Sequence, residues 1–77
     1  MEYIKQLEAV LCEVFRLKPE DLKDELTMED IGNWDSLTHM DLIASLEETF
    51  SIQLSMDEIM EMKDIKVIKR IIGERII

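Results

Sequence analysis

Apolar residues recur at spacings of three and four near the N-terminus of the chain, which is the period of one helical face. The residues that share this face are Ile4, Leu7, Leu11, Val14 and Phe15. The pattern predicts a first helix over residues 3–17. The helix should end before Lys18-Pro19, because the residue preceding a proline is displaced from helical backbone angles.

No period runs through residues 18–34, which predicts a long first loop. Four separate apolar residues in it should anchor the loop on the core: Leu22, Leu26, Met28 and Ile31. Long loops in small domains often carry function, so this connection and the helix start that follows it call for close inspection.

Three further helices follow from the remaining pattern. A second helix should start at Asp35 or Ser36 and end near Phe50. Ser55 with Glu58 forms a capping box for a short third helix. Asp64 can cap a last helix, whose apolar rows are Ile65, Ile68, Ile71, Ile72 and Ile76. Three methionines, Met56, Met60 and Met62, are expected in an adaptable core.

The predicted architecture is all-α, a four-helix bundle with a long first loop and a short third helix. No segment alternates long enough to predict a strand with a partner. With 77 residues, the chain should form a single domain over residues 1–77. A core of this size supplies about 3–5 kcal/mol of net stability.

The charge of the chain narrows the possible partners. The 18 acidic and 9 basic residues leave a formal net charge of −9. Such a surface repels phosphate backbones and anionic lipids, so neither nucleic acid nor a membrane is an expected partner. It would attract a protein with a basic patch, or the charge serves only to keep the protein soluble, and composition alone does not choose between these two. No apolar run is long enough to cross a bilayer, and the acid near the N-terminus does not fit a signal peptide, so we expect a cytoplasmic location. We also expect a monomer.

Metal and catalytic sites are not expected. Loops that start at Asp24 or Asp30 lack oxygen ligands at the positions that calcium needs, and the single Cys12 and His39 are too few for zinc. Cys12 has no activating neighbour in sequence and is predicted to be structural. His39 lies toward the core side of the second helix, so a packed, hydrogen-bonded histidine is favoured over a catalytic base.

The most informative stretch is residues 30–37, with the sequence DIGNWDSL, which ends the long loop and opens the second helix. The first turn of a helix has unpaired N–H groups and a partial positive charge, so it favours phosphate. Ser36 at that position could carry a phosphodiester. The alternative is that Ser36, or Asp35 beside it, is only a helix cap.

The second helix has two distinct faces when its residues are placed about 100° apart. The core side is predicted to hold His39, Leu42, Ile43, Leu46 and Phe50. The opposite side holds Leu37, Met40, Asp41, Ala44, Glu47 and Glu48. Apolar side chains flanked by carboxylates are typical of a docking surface, on which the acids steer a partner and the apolar groups anchor it. Scattered exposed apolar residues are the alternative.

With these features in place, the chain closely resembles the acyl carrier protein family over nearly its whole length. The matching motifs are Asp30-Ile31-Gly32, Asp35-Ser36-Leu37, Asp41-Leu42-Ile43 and Leu46-Glu47-Glu48 with Phe50. Two residues, Asn33 and Trp34, separate the glycine from the aspartate where the better-known fatty-acid carriers have one. Trp34 is more similar to carriers of specialised pathways, such as polyketide, aminoacyl or surface-glycan assembly.

The resemblance implies a carrier and not an enzyme. It implies a 4′-phosphopantetheine arm, taken from coenzyme A and attached covalently to Ser36 next to Asp35, on which acyl groups ride as thioesters. The implied partners are a magnesium-dependent phosphopantetheinyl transferase and acyl-loading and acyl-processing enzymes with basic docking patches. The acyl cargo stays open between fatty-acid, polyketide and related pathways. The alternatives are an aminoacyl or peptidyl carrier and, in a different class, a helical interaction domain without a prosthetic group.

Overall fold

The computed structural model describes residues 2–76, apart from the side chain of Glu2. It contains helices α1 (Glu2–Phe15), α2 (Ser36–Phe50), α3 (Met56–Glu61) and α4 (Ile65–Ile76), with a short 3-10 turn at Pro19–Asp21. An isolated bridge between Thr27 and Asp64 is the one piece of β pairing within these residues. The predicted four-helix, all-α class is therefore confirmed.

The first helix ends two residues before the predicted boundary. Arg16 takes the left-handed conformation, with φ of 57°, directly after the helix. The Leu17 N–H then donates to the Cys12 carbonyl at 2.9 Å. This hydrogen bond, which spans six residues, gives a partner to one of the last carbonyls of the helix. The helix therefore ends at the left-handed Arg16, three residues before Pro19.

The core is formed by apolar side chains from α1, α2 and α4, from the long loop and from the links on either side of α3, whereas Ile59 of α3 packs against it half-buried. Its members are Leu7, Leu11, Phe15, Ile31, Trp34, Leu42, Ile43, Leu46, Leu54, Met62, Ile65, Ile68, Ile71 and Ile72. The predicted loop anchor Ile31 is buried, and the other three, Leu22, Leu26 and Met28, pack against the core half-buried. The anchoring prediction is thus confirmed.

The long loop is fixed to the link between α3 and α4. The Met28 N–H donates to the Lys63 carbonyl at 3.0 Å, and the Ile65 N–H donates to the Leu26 carbonyl at 3.0 Å. Farther along α4, the Lys69 ammonium lies 2.7 Å from the Asp24 carboxylate. These contacts give the loop a defined path to the start of α2.

Local caps begin the two later helices as predicted. In α3 the Ser55 hydroxyl accepts from the Glu58 N–H at 3.2 Å, and the Glu58 carboxylate accepts from the Ser55 N–H at 3.0 Å. In α4 an Asp64 oxygen accepts from the Val67 N–H at 2.7 Å. Each cap joins residues three apart, which is why the sequence pattern revealed them.

Candidate functional site

Asp35 caps α2 and leaves the neighbouring serine free. The Thr38 N–H donates to Asp35 Oδ1 at 2.9 Å, and this bond lowers the pKa of Asp35. Ser36 is the first residue of the helix and is exposed. Within residues 2–76 its hydroxyl has no hydrogen-bond partner. The choice left open by the sequence, between Asp35 and Ser36 as the cap, is therefore decided in favour of Asp35.

The surroundings of Ser36 fit an attached phosphodiester. The N–H groups of Ser36 and Leu37 lie in the first helical turn, where no carbonyl of the same helix can accept from them. Together with the helix dipole they favour a negative group on the serine oxygen. Because the hydroxyl faces solvent, a long substituent on it meets no packed side chain.

The outward face of α2 is exposed beside the serine. Leu37 is 80% exposed and Met40 is 59% exposed, and Asp41, Ala44 and Glu48 are exposed as well. On the other side Leu42, Ile43 and Leu46 are buried. The structure therefore places five of the six predicted recognition residues on one accessible surface, which we call the α2 face: Leu37, Met40, Asp41, Ala44 and Glu48.

Glu47 departs from this arrangement. Its side chain is half-buried, and its Oε2 accepts from the Leu54 N–H at 2.9 Å. Leu54 belongs to the link that leads into α3, seven residues along the chain. Glu47 thus holds this link in place at the edge of the α2 face, a role that helical spacing alone did not indicate.

Two methionines next to this region are exposed, contrary to their expected place in the core. Met56 is 69% exposed and Met60 is 64% exposed, whereas Met62 is fully buried. Met56 and Met60 are four residues apart and share a face of α3, while Met62 lies on the side of Ile59, which packs against the core. Met62 directly follows the six-residue helix that carries the other two, and so short a helix does not reveal this difference in its own sequence.

Trp34 and His39 are joined just inside the site. The Trp34 indole N–H donates to His39 Nδ1 at 3.0 Å, and His39 Nε2 lies 2.8 Å from the Ile59 carbonyl oxygen of α3. Trp34 is buried, with its ring centroid 4.5 Å from that of Phe15. The prediction of a packed, hydrogen-bonded histidine is confirmed, and the tryptophan faces the core.

Among the described residues, neither the Cys12 thiol nor a group of metal-ligating side chains forms a second candidate site. Burial, with a smaller contribution from Glu8, raises the pKa of the Cys12 thiol, which keeps the thiol protonated and weakly nucleophilic. In the described part of the chain, no three His, Cys, Asp or Glu side chains are grouped to hold a metal ion. No helix among those residues is both long and apolar enough to cross a membrane.

Comparison with known families decides between a carrier and a plain helical domain. The family model described as "Phosphopantetheine attachment site" matches residues 5–72. The chain belongs to this family. The predicted resemblance to acyl carrier proteins is confirmed, and the chain is an acyl carrier that bears a covalent 4′-phosphopantetheine.

Related proteins agree with this assignment. The carrier superimposes on the solution structure of a holo acyl carrier protein from Geobacter metallireducens with a TM-score of 0.82, at 29% identity over 97% of this chain and 86% of that one. It is 35% identical over 90% of its length to the non-reducing polyketide synthase pigA of Monascus ruber. It is 26% identical over 94% of its length to the polyketide synthase pkdA of Emericella nidulans.

The carrier spans only a small part of these synthases, 2% of the first and 3% of the second. The similarity therefore concerns one carrier unit of each synthase and not their other activities. Carriers of this family interact with a phosphopantetheinyl transferase and with partner enzymes, and the family is not itself catalytic.

Proposed function

We propose that Ser36 is the residue that carries the phosphopantetheine arm. Two observations at the start of α2 support this. Asp35 makes the helix cap, and Ser36 has an exposed hydroxyl without a hydrogen-bond partner among residues 2–76. A serine that served as the cap would have its oxygen engaged by a backbone N–H. The Ser36 oxygen is instead available to a modifying enzyme.

Modification at Ser36 is a phosphodiester transfer from coenzyme A. The Ser36 Oγ forms a bond to the phosphorus that bears the pantetheine, the pyrophosphate bond of coenzyme A breaks, and adenosine 3′,5′-bisphosphate leaves. The hydroxyl proton passes to a base of the transferase, and the magnesium ion belongs to that enzyme. The helix start contributes the positive end of its dipole, which favours the product phosphodiester.

We further propose that the cargo consists of acyl intermediates of the polyketide or a related specialised class. The two similar synthases support this assignment, as does Trp34 directly before the Asp-Ser-Leu motif. An aminoacyl or peptidyl carrier is the alternative, and loading assays with adenylating and acyl-transferring enzymes distinguish the two.

The carrier performs no chemistry on the cargo, and it acts as a cytoplasmic monomer formed by one domain over residues 1–77.

The α2 face is the proposed docking surface for these enzymes. Leu37 and Met40 supply exposed apolar contacts next to the arm. Asp41 and Glu48 supply negative charge and have no ion-pair partner within the described residues. A partner with a basic patch around an apolar centre fits this surface, because opposite charges speed the encounter and apolar burial lengthens the contact.

Intact-mass measurement after incubation with coenzyme A, magnesium and a phosphopantetheinyl transferase tests the attachment site. Wild-type protein should gain one phosphopantetheine, and Ser36→Ala should gain none while keeping its helical circular dichroism and nearly its melting temperature, since Asp35 makes the cap. Ser51→Ala removes another exposed serine and should be modified like the wild type. Full modification of Ser36→Ala would disprove the assignment.

A further inference from the structure

The contact between Trp34, His39 and the Ile59 carbonyl joins the residue that precedes the capping Asp35 to the third helix. We propose that these three groups form a clasp that positions α3 beside Ser36, and that the clasp closes only around a neutral His39 with its proton on Nε2. This inference deepens the proposed function, because it concerns the helix start that carries Ser36.

The donors and acceptors assign the position of the proton. An indole N–H can only donate, so His39 Nδ1, at 3.0 Å from Trp34 Nε1, must accept and carry no proton. A neutral imidazole then has its proton on Nε2. That proton points to the Ile59 carbonyl, whose oxygen is 2.8 Å away. Each ring nitrogen therefore makes one hydrogen bond, Nδ1 with Trp34 before α2 and Nε2 with Ile59 in α3.

The clasp adds a direct link between α3 and the start of α2. Trp34 packs on Phe15 at the end of α1, His39 belongs to α2, and Ile59 lies twenty residues farther on in α3. The same helix α3 carries the exposed Met56 and Met60. The clasp therefore contributes to the placement of α3, and of these methionines with it, relative to the start of α2.

A second proton on the ring opens the clasp. With both nitrogens protonated, Nδ1 would present an N–H to the indole N–H, and two donors cannot bond. Trp34 is buried, so its N–H would lose its acceptor with little access to water. Histidine side chains ordinarily change charge between pH 5 and 8, so the experiments span that range.

No neighbouring carboxylate contacts the ring to stabilise an imidazolium. Four acids on the elements around His39 bond to other groups, namely Asp30 to Thr27, Asp35 to Thr38, Glu58 to Arg75 and Glu61 to Arg70. The acids Asp41, Glu48 and Asp57 on α2 and α3 are exposed, and within the described residues none of them forms an ion pair with the ring. Lys63, directly after α3, carries the same sign as a protonated ring. Among the described residues, the ring nitrogens thus bond to Trp34 and to the Ile59 carbonyl.

Nitrogen-15 spectra of the histidine ring test the clasp directly in the full chain. At pH 8 we expect the Nε2–H tautomer and a hydrogen-bonded indole N–H from Trp34, which is the one tryptophan in the sequence. On acidification to pH 5 the indole N–H should lose its hydrogen-bonded shift in step with the ring titration. Amides of α3 should then exchange several-fold faster, while those of α4 change little. An Nδ1–H tautomer at pH 8 would overturn the proposal.

Two variants separate the clasp from general packing. His39→Gln is neutral at every pH used and should remove the pH dependence of Trp34 fluorescence between pH 5 and 8. Trp34→Phe keeps an aromatic ring on Phe15 but lacks the donor, so α3 amides should exchange faster at all pH values. Equal pH profiles for the wild type and His39→Gln would rule out the clasp as a pH-sensitive device.

The transferase reaction supplies the functional readout. The rate of phosphopantetheine transfer is measured for the wild type and for His39→Gln at each pH. In the ratio of the two rates, the pH dependence of the transferase itself cancels. This ratio should fall several-fold from pH 8 to pH 5.5, and a constant ratio would contradict the positioning role. The spectra need no arm and can be recorded on Ser36→Ala, so a failure of the clasp and a failure of the attachment assignment are distinguishable.

Discussion

At the scale of single residues, adjacent side chains at the start of α2 do different work. Trp34 turns into the core, Asp35 holds the Thr38 N–H, and Ser36 points to solvent. The Asp35 carboxylate caps the helix N-terminus by accepting from the Thr38 N–H, so the serine hydroxyl is not required as a cap. The serine can therefore be modified without loss of the cap.

Glu58 is the residue whose charge has the clearest predicted effect on stability. Its carboxylate accepts from Arg75 and from the Ser55 N–H, and these bonds lower its pKa from 4.5 to about 2. A lowered pKa means that the ionised form stabilises the fold above the ordinary pKa, and that this contribution is lost as the pH falls from about 4.5 to about 2. Glu58→Gln lacks this contribution at every pH.

Urea denaturation of the wild type and Glu58→Gln at pH 7 and pH 3 measures this effect. The wild type should be the more stable protein at pH 7, and the difference in unfolding free energy should shrink at pH 3. The matched control is Glu74→Gln, an exposed acid of the neighbouring helix without an ion pair among residues 2–76, and it should show a smaller change with pH. A wild-type advantage of the same size at both pH values would contradict the prediction.

At the scale of elements, one face of α2 packs in the core, and the opposite face is the proposed docking surface for partner enzymes. Leu42, Ile43 and Leu46 are buried, so substitutions on the α2 face leave the packing of this helix intact. Glu47 is the exception, because its bond to the Leu54 N–H fixes the start of the next link. Tests of docking should therefore leave Glu47 unchanged.

The kinetics of transferase binding should separate the acids of the α2 face from its apolar groups. Asp41→Lys combined with Glu48→Lys should slow association about tenfold at low salt and remove most of its salt dependence, because the acids steer the encounter. Met40→Ala should instead speed dissociation and leave the salt dependence nearly unchanged. Surface plasmon resonance at several ionic strengths gives both rate constants.

The control for this experiment changes the net charge equally at a distance from α2. Glu20→Lys combined with Glu74→Lys alters two exposed acids, one on the long loop and one on α4. This pair should slow association much less than the α2 pair does. If both pairs slow it equally, the total charge of the carrier governs the encounter and the α2 face has no special part.

At the scale of the whole molecule, excess negative charge opposes compaction. The net charge is −9, and the radius of gyration is 11.3 Å. Four carboxylates have an ion-pair partner within residues 2–76, namely Glu8, Asp24, Glu58 and Glu61. Most of the other acids repel one another over distances that are comparable with the size of the molecule.

The melting temperature should therefore rise as salt is added. An increase in ionic strength from about 0.01 M to about 0.15 M shortens the screening length from about 30 Å to about 8 Å, which weakens repulsion across the molecule. Neutralising Glu13 and Glu48, which line one groove between α1 and α2, by Glu13→Gln and Glu48→Gln should raise the melting temperature at low salt and reduce its salt response.

Differential scanning calorimetry across this range tests the prediction, with Glu20→Gln combined with Glu74→Gln as the control of equal net charge. The control pair should stabilise less, since those acids do not line a shared groove as Glu13 and Glu48 do. A melting temperature that stays constant or falls with salt would show that the carboxylates are already compensated locally.

The sequence by itself determined the features that depend on neighbours within a few residues. Helical periods, the Ser55 and Asp64 caps and the start of α2 all rest on contacts between residues three or four apart, which can be read along the chain. The motif around Ser36 indicated the carrier family only together with the acids farther along α2, the chain length and the net charge, and the comparisons confirm that family.

Only the tertiary structure decided which distant groups meet. His39 finds its second partner twenty residues away at Ile59, and Glu47 finds Leu54 across a turn. The exposure of Met56 and Met60 depends on which side of a short helix meets the core, and a six-residue helix has too few turns to reveal that phase from its own sequence. These features depend on how the helices pack, because hydrogen-bond partners and burial are set by the neighbouring element and not by the residue alone.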